Sequence, residues 1–181
     1  HRLRSLHDAV LVGAGTVVKD DPELTVRHVR GRNPLRIVID PLLEIPLDAK
    51  ILRDQGRAAT LVVTRPDAPP EKCRRIRAMQ VGLLPFGDQG ADLFDLHPLF
   101  ARLGEQRISS ILVEGGSGII TSVLRQRLAD RVVAIIAPKM IGNGLSTVGD
   151  LGIDYMDHAL GLTFKKVSRS GPDVILDGRM T

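Results

Sequence analysis

The sequence predicts an α/β fold with a mainly parallel central sheet and a C-terminal antiparallel hairpin. Short apolar runs recur along the chain, with helical or irregular segments between them, and each run is continuously apolar rather than alternating. Such runs are typical of strands that helices cover on both faces. The predicted strands are Ala9 to Val12, Leu35 to Ile39, Thr60 to Val63, Gly82 to Leu84, Ile111 to Val113 and Val132 to Ala137.

The hairpin is predicted because two apolar runs, Leu162 to Val167 and Val174 to Leu176, flank residues 168–172. That connection is rich in turn residues and too short to hold a crossover helix, so the two strands must be antiparallel. Helices are predicted at Leu3 to Leu6, Glu71 to Met79, Leu96 to Leu103 and Ile119 to Ala129, and surface loops at Pro66 to Pro70 and Phe86 to Ala91.

Composition indicates one globular domain over residues 1–181. Hydrophobic residues make up 43% of the chain and charged residues 25%, as in ordinary soluble domains. Aromatic residues are only 3%, which argues against a base-stacking surface for nucleic acid. The formal charge of +4 lies in the first part of the chain, since residues 1–79 hold 15 basic and 10 acidic residues. This bias favours an anionic small molecule as partner.

Cysteine usage and hydropathy predict a cytoplasmic location without a membrane anchor. Cys73 is the single cysteine, so an internal disulfide is excluded and a reducing compartment is expected. No run reaches the ~18 apolar residues that a membrane span requires. The chain starts at His1 without a methionine, and we therefore expect an N-terminally truncated fragment.

The stretch from Leu112 to Gly118 is the most informative part of the chain. It joins an apolar run to an amphipathic segment, which predicts a strand, a glycine turn and the start of a helix. Both a tight connection and a phosphate cradle need glycine here, because glycine lets a ligand approach the backbone and the helix N-terminus. Glu114 favours the cradle, since a carboxylate at the end of a buried strand faces a polar cleft more readily than a core.

A second glycine turn, Gly13-Ala14-Gly15-Thr16, follows the first predicted strand. It lacks the third glycine of the dinucleotide-binding fingerprint, so a standard Rossmann site is not indicated. Two strands that end in glycine turns nevertheless place both turns at the carboxyl edge of a parallel sheet, where open α/β sheets bind ligands.

The segment from Lys19 to Arg27 carries charged residues that have two readings. Asp20 or Asp21 could cap a helix in a solvated turn. Alternatively, Asp20 orients a ligand and Arg27 binds an anion through its guanidinium. Arg4 is a further candidate for an anion. No histidine or further acid stands at metal-ligand spacing, and no histidine shares a motif with a nucleophile, so neither a metal site nor a hydrolytic triad is expected.

Together these segments resemble the reductase domain of bacterial riboflavin biosynthesis, the C-terminal half of the bifunctional pyrimidine deaminase/reductase. The matching segments are LRSLHDAVLVGAGTV at 3–17, DDPELTVR at 20–27, NPLRIVID at 33–40 and VEGG at 113–116. These motifs stand in the family's order across nearly the whole chain. The resemblance implies a dihydrofolate-reductase-like three-layer fold and a homodimer.

The resemblance also implies an activity and a set of site residues. The reaction is NADPH-dependent reduction of 5-amino-6-(5-phosphoribosylamino)uracil, a phosphorylated small molecule, to the ribitylamino phosphate. Asp20 and Glu114 are the expected catalytic carboxylates. The expected substrate-binding residues are Arg4, Asp20, Leu24, Arg27 and Glu114. The expected cofactor-binding residues are Gly13, Thr16, Asp20, Gly115, Gly116, Ser117 and Gly118. The resemblance does not assign the 2′-phosphate of NADPH; Arg36 and Arg65 are candidates from the sequence alone, and the alternative is that both are solvated surface residues.

Two departures from the family leave alternatives open. The family's first strand, which precedes the helix that carries the Arg4 equivalent, has no counterpart here, and neither does the zinc motif of the deaminase half. A zinc deaminase domain fused upstream is therefore a possible partner. The alternatives are a dihydrofolate-reductase-like NADPH reductase of another pterin or pyrimidine, and a catalytically silent ligand-binding domain.

Overall fold

The computed structural model describes residues 1–87 and 95–181. The chain forms two compact units, His1–Ile120 and Thr121–Thr181, each with its own sheet. Most of the loop predicted at Phe86 to Ala91 lies outside the described residues.

The first unit is built on a five-stranded sheet whose strands all run parallel, as the sequence predicts. The strand order is β4-β3-β2-β1-β5. The three middle strands are almost completely buried, because their continuous apolar runs are covered on both faces. The strands are β1 (Ala9–Gly13), β2 (Leu35–Ile39), β3 (Thr60–Thr64), β4 (Gly82–Pro85) and β5 (Ile111–Gly115).

Six α-helices lie within the described residues. The helices are α1 (Arg2–Leu6), α2 (Ala14–Asp20), α3 (Lys50–Arg53), α4 (Pro70–Ala78), α5 (Leu96–Glu105) and α6 (Ser117–Arg125). The four predicted helices are present, but α6 ends before Ala129 because Arg127 adopts a positive φ of 54°. The sequence missed α2 and the four-residue α3. Among the described residues, no helix has the length and hydropathy needed to cross a bilayer.

The second unit contains a three-stranded antiparallel sheet. The strands are β6 (Arg131–Ile136), β7 (Leu162–Ser170) and β8 (Asp173–Met180), in the order β6-β8-β7, and a 3-10 turn at Met156–His158 precedes β7. The predicted C-terminal hairpin is thus confirmed as β7 and β8. The expectation that the run Val132 to Ala137 forms a strand covered on both faces is wrong, since β6 pairs antiparallel with β8 and its residues are partly or fully exposed.

A network around Asp8 holds the starts of β1 and β5 together. The Asp8 carboxylate accepts hydrogen bonds from the Ser109 hydroxyl at 2.7 Å and the Ser110 hydroxyl at 3.0 Å, and from both backbone N–H groups at 3.1 Å. Arg32 adds an ion pair. These donors stabilise the charged form, so they lower the pKa of the Asp8 carboxyl well below its usual range, the Ser109 hydroxyl most of all.

The depressed pKa of Asp8 predicts a pH-dependent contribution to stability. Asp8→Asn should be less stable than the parent at neutral pH, and the difference should shrink as the pH falls below about 4, where the unfolded carboxyl takes up a proton. Urea unfolding of both proteins at neutral and acidic pH measures this. Asp48→Asn, at an exposed carboxylate, is the control. A difference between Asp8→Asn and parent that does not change with pH would contradict the assignment.

Candidate active site

The candidate site lies where the order of the parallel strands reverses. Strands β1 to β4 are added in one direction across the sheet, and the chain then returns to place β5 on the other side of β1. Open α/β sheets bind ligands in the crevice at such a switch point, outside the carboxyl ends of the strands. The Gly115–Gly116 turn begins there, and so does α2, because the second predicted glycine turn is instead the end of β1 at Gly13 and the start of α2 at Ala14.

A β-bulge places Glu114 at this edge. Leu11 pairs with Val113 and Val12 pairs with Gly115, so Glu114 is an extra residue without a partner on β1. A bulge turns one side chain away from the regular alternation of a strand, and bulges are common beside active sites. The sequence expectation that Glu114 avoids the core agrees with this position, since its side chain is 26% exposed.

Arg4 holds the Glu114 carboxylate at both oxygens. Arg4 Nε donates to Oε1 at 2.6 Å and Nη2 donates to Oε2 at 2.5 Å, which is the bidentate geometry that a guanidinium forms with a carboxylate. Arg4 Nη1 also donates to the carbonyl oxygen of Thr25 at 3.0 Å. The structure thus brings two of the predicted substrate-binding residues into direct contact.

The first turn of α2 and the Gly115–Gly116 turn are linked by a hydrogen bond. The backbone N–H of Gly116 donates to Thr16 Oγ1 at 2.9 Å. Gly115 and Gly116 have φ values of 150° and 33°, and a Cβ added to Gly116 would lie 3.3 Å from Thr16 Oγ1. Glycine is therefore required in this turn by backbone conformation as well as by space. A Cβ at Gly118 would meet nothing within 4 Å, so its backbone faces open space.

The two adjacent aspartates at the end of α2, Asp20 and Asp21, have different surroundings. Thr16 and Asp20 are four residues apart on α2 and therefore share one face of the helix, with Asp20 exposed at its end. Asp21 has a left-handed φ of 40° and accepts the backbone N–H of Lys50 at 2.8 Å. This bond lowers the pKa of the Asp21 carboxyl. Asp21 thus caps the first residue of α3, whereas the Asp20 side chain points to solvent and has no partner among the described residues.

Leu24 and Arg27 lie in the loop after α2. The side chain of Leu24 is only 3% exposed and packs in the core, and its φ is 53°. Only the main chain of Leu24 therefore remains for a ligand. Arg27 is exposed, and its Nη1 lies 3.5 Å from a carboxylate oxygen of Glu23.

The two candidates for a 2′-phosphate are both engaged. Arg36 is 1% exposed and donates to three main-chain carbonyls, of Glu23 at 3.3 Å, Asp54 at 3.0 Å and Ala58. Burial lowers its pKa. The suggestion that Arg36 binds a ligand phosphate is therefore wrong. Arg65 pairs with Asp67 at 3.0 and 2.8 Å.

Sequence reasoning missed the part that Thr25 plays. Thr25 is 1% exposed, and its carbonyl oxygen accepts hydrogen bonds from Arg4 and from the ring of His1. A backbone acceptor carries no residue-type signature, so no motif could have marked it. In the part of the chain that the structure describes, no three His, Cys, Asp or Glu side chains cluster closely enough to hold a metal ion.

These features define a mixed α/β domain with a candidate ligand site at the carboxyl edge of its parallel sheet. Comparison with known families makes the assignment specific. The chain belongs to the RibD C-terminal domain family, whose model matches residues 1–176.

Relatives and solved structures agree with this membership. The chain is 41% identical to the riboflavin biosynthesis protein RibD of Aquifex aeolicus, over 97% of this chain and 47% of that protein. It therefore spans about half of that relative's length. It is 35% identical to the 2,5-diamino-6-ribosylamino-4(3H)-pyrimidinone 5′-phosphate reductase of Methanothermobacter thermautotrophicus, over 98% of this chain and 82% of that protein.

The fold matches a crystal structure from Thermotoga maritima. That protein is described as a diaminohydroxyphosphoribosylaminopyrimidine deaminase/5-amino-6-(5-phosphoribosylamino)uracil reductase. The TM-score is 0.75 at 27% identity, and the match covers 100% of this chain and 47% of the other.

The hydrogen bond between Thr16 and Gly116 predicts the effect of two substitutions. Thr16→Val keeps the shape of the side chain and removes the acceptor, so it should lower the free energy of unfolding by about 1 kcal/mol. Thr16→Ser keeps the hydroxyl and should cost less. Urea denaturation measures both variants, and a Val variant as stable as the Ser variant would show that the bond does not stabilise the turn.

Proposed function

We propose that this chain catalyses the NADPH-dependent reduction of 5-amino-6-(5-phosphoribosylamino)uracil to the ribitylamino phosphate. The Thermotoga maritima protein carries this reductase in its description. The chain is also more similar to Aquifex aeolicus RibD, at 41%, than to the archaeal pyrimidinone reductase, at 35%. The proposal covers the reduction step alone.

The observation that carries the proposal is the position of Arg4 and Glu114 beside the glycine turn. The Arg4 guanidinium, the Glu114 carboxylate and a glycine backbone that a ligand can approach lie together where the strand order reverses. A phosphorylated sugar needs a cationic donor and a carboxylate, and a dinucleotide needs a turn that admits its phosphates.

The substrate phosphate is received by the loop after α2 together with α1. Arg4 and Arg27 supply two guanidinium groups, and Leu24 contributes through its main chain, because its side chain is buried. Its positive φ of 53° is a strained conformation for a non-glycine residue, and such strain is concentrated at functional sites.

The residues at the start of α2 and around the Gly115–Gly116 turn fit an anionic cofactor. Gly15 and Gly118 each present a backbone position where an added Cβ would meet nothing within 4 Å. The turn at Gly115 and Gly116 leads directly into α6, a nine-residue helix whose N-terminus favours negative charge. We therefore propose that Gly13, Thr16 and residues 115–118 hold NADPH, with Asp20 close to its nicotinamide.

The carboxylates assist proton movement during the reduction. Opening of the ribose ring breaks the C1′–O4′ bond and forms a C1′=N imine, and the N–H proton of the ribosylamine is transferred to O4′. NADPH supplies the hydride that C1′ accepts, and a proton completes the amine nitrogen. We assign the delivery of these protons and the orientation of the sugar hydroxyls to Asp20, which is exposed on the same face of α2 as Thr16, and to Glu114 at the β5 bulge.

Substitution of Asp20 tests the catalytic assignment. Asp20→Asn should lower kcat by at least about tenfold, as expected for the loss of a general acid or base, with little change in the affinity for NADPH. Steady-state oxidation of NADPH with the uracil substrate and titration of NADPH fluorescence measure the two effects. Asp154 is an exposed carboxylate of the second unit and is not among the predicted site residues, so Asp154→Asn is the control. An unchanged kcat in Asp20→Asn would disprove the assignment.

The same assay tests a second candidate substrate, the 2,5-diamino-6-ribosylamino-4(3H)-pyrimidinone 5′-phosphate, which keeps the ring amino group that the uracil lacks. The 35% identity to the archaeal reductase favours this alternative. The substrate with the larger kcat/KM identifies the base on which the enzyme acts. An absence of NADPH binding would instead favour a catalytically silent domain.

We also propose that the chain forms a homodimer through its antiparallel sheet. The register of β6, β7 and β8 places Ile136, Phe164 and Val167 on one face of that sheet. These side chains are 52%, 55% and 62% exposed. An exposed row of large apolar side chains marks an interaction surface, and the resemblance to a homodimeric family favours a second copy as its partner.

The proposed dimer is tested with a charge on this face. Phe164→Glu together with Val167→Glu should convert the dimer to a monomer in analytical ultracentrifugation, because each copy would bury like charges against the other. Leu42→Glu, at an exposed apolar side chain in the first unit, is the control. A parent protein that sediments as a monomer would overturn the proposal.

A further inference from the structure

We infer that the substrate phosphate and Glu114 compete for the same edge of Arg4, so that phosphate binding releases the Glu114 carboxylate into the active site. The inference rests on the proposed function, because it takes the substrate to be a phosphate ester. It deepens that proposal by coupling recognition of the phosphate to the availability of the carboxylate.

The competition follows from the hydrogen bonds of Arg4. Its Nε and Nη2 groups donate to both oxygens of Glu114, at 2.6 and 2.5 Å. This edge of the guanidinium is the one that binds a carboxylate or a phosphate through two parallel hydrogen bonds. One edge cannot bind both anions, so a phosphate that takes the edge must displace the carboxylate.

The guanidinium remains in place when its partner changes. Arg4 Nη1 donates to the carbonyl oxygen of Thr25 at 3.0 Å, and Thr25 is buried. This third hydrogen bond does not involve the edge that faces Glu114. Arg4 is therefore already oriented for an incoming anion, and the exchange does not require its side chain to refold.

The pair is accessible enough to be exchanged. The side chains of Arg4 and Glu114 are 15% and 26% exposed. An anion from solvent can therefore reach part of the pair, and a phosphate group carries about two negative charges near neutral pH against one on the carboxylate. A phosphate dianion is thus a stronger partner for Arg4 than Glu114 is.

Arg27, the second predicted phosphate-binding arginine, does not set its partner Glu23 free in the same way. Arg27 lies 3.5 Å from Glu23, but the same Glu23 oxygen also accepts from Arg57 at 3.2 Å and from the Thr25 hydroxyl at 3.1 Å. Glu23 therefore stays anchored if Arg27 turns to a ligand. Among the described residues, Glu114 is held by Arg4 alone, so only Glu114 is set free by phosphate.

The inference is tested by whether phosphate binds more tightly or more weakly when Glu114 loses its charge. If Glu114 competes with phosphate, Glu114→Gln removes the competitor, and inorganic phosphate should bind about twofold to fivefold more tightly than to the parent. If Glu114 instead only positions Arg4, the same variant should bind phosphate more weakly. Isothermal titration of the ligand-free proteins with inorganic phosphate decides between the two, and Glu114→Ala repeats the test with the side chain shortened.

Two further variants complete the experiment. Arg4→Ala should weaken phosphate binding by about tenfold or more, since it removes the shared edge. Asp177→Asn is the matched control, because Asp177 is held by Arg131 through the same two-bond geometry, at 2.7 and 2.6 Å. It loses the same charge and should leave phosphate affinity unchanged. Equal tightening in Asp177→Asn and Glu114→Gln would reduce the effect to net charge and overturn the inference, as would an unchanged or weaker affinity in Glu114→Gln.

Failure of this inference is distinguishable from failure of the proposed function. Phosphate titration needs neither NADPH nor turnover, whereas the proposed function is tested by oxidation of NADPH in the presence of the uracil substrate. A protein that reduces the substrate but binds phosphate more weakly in Glu114→Gln keeps the function and loses the inference.

Discussion

The candidate site depends on how β5 pairs with β1. β5 is an edge strand, so β1 is its single neighbour in the five-stranded sheet. The register shifts by one residue between Leu11 and Val12, and this shift makes Glu114 the unpaired residue. Without the bulge, Glu114 would pair with Val12 as a regular member of the ladder, and the glycine turn would start one residue later relative to β1. The bulge thus sets the position of the carboxylate and of the turn together.

This register is secured at both ends of the two strands. At their start, the Asp8 carboxylate accepts hydrogen bonds from Ser109 and Ser110, which lead into β5. At their end, Thr16 accepts the N–H of Gly116. An edge strand with a single neighbour has half the ladder of a central strand, so contacts beyond the ladder matter more for its position. The polar residues on either side of β1 therefore stabilise the geometry of the site although most of them lie outside it.

The sequence predicted the elements better than it predicted their pairing. Every strand was located because the apolar runs are short and bounded by polar or glycine-rich segments. The run at β6 was assigned to the covered, parallel type, but its partner β8 lies far along the chain, and an apolar run carries no sign of the strand that it will join. Helix α2 was missed because Gly13 and Gly15 indicate a turn, and three apolar residues are too few to show a helical period. The bulge has no sequence signature at all, so the pairing of Glu114 with Arg4 could not be foreseen.

The arginine residues show most clearly which roles cannot be predicted from residue type alone. Arg4 and Arg36 both stand next to apolar segments in the sequence, and both were candidates for a phosphate. Arg36 is buried and gives its N–H groups to main-chain carbonyls, which cannot leave. Arg4 is partly exposed and gives one edge to a carboxylate on a side chain, which can move. A guanidinium whose partner can move is available to a ligand, whereas one that holds backbone oxygens is part of the fold. Burial and the kind of acceptor separate the two roles, and both are set by the three-dimensional structure.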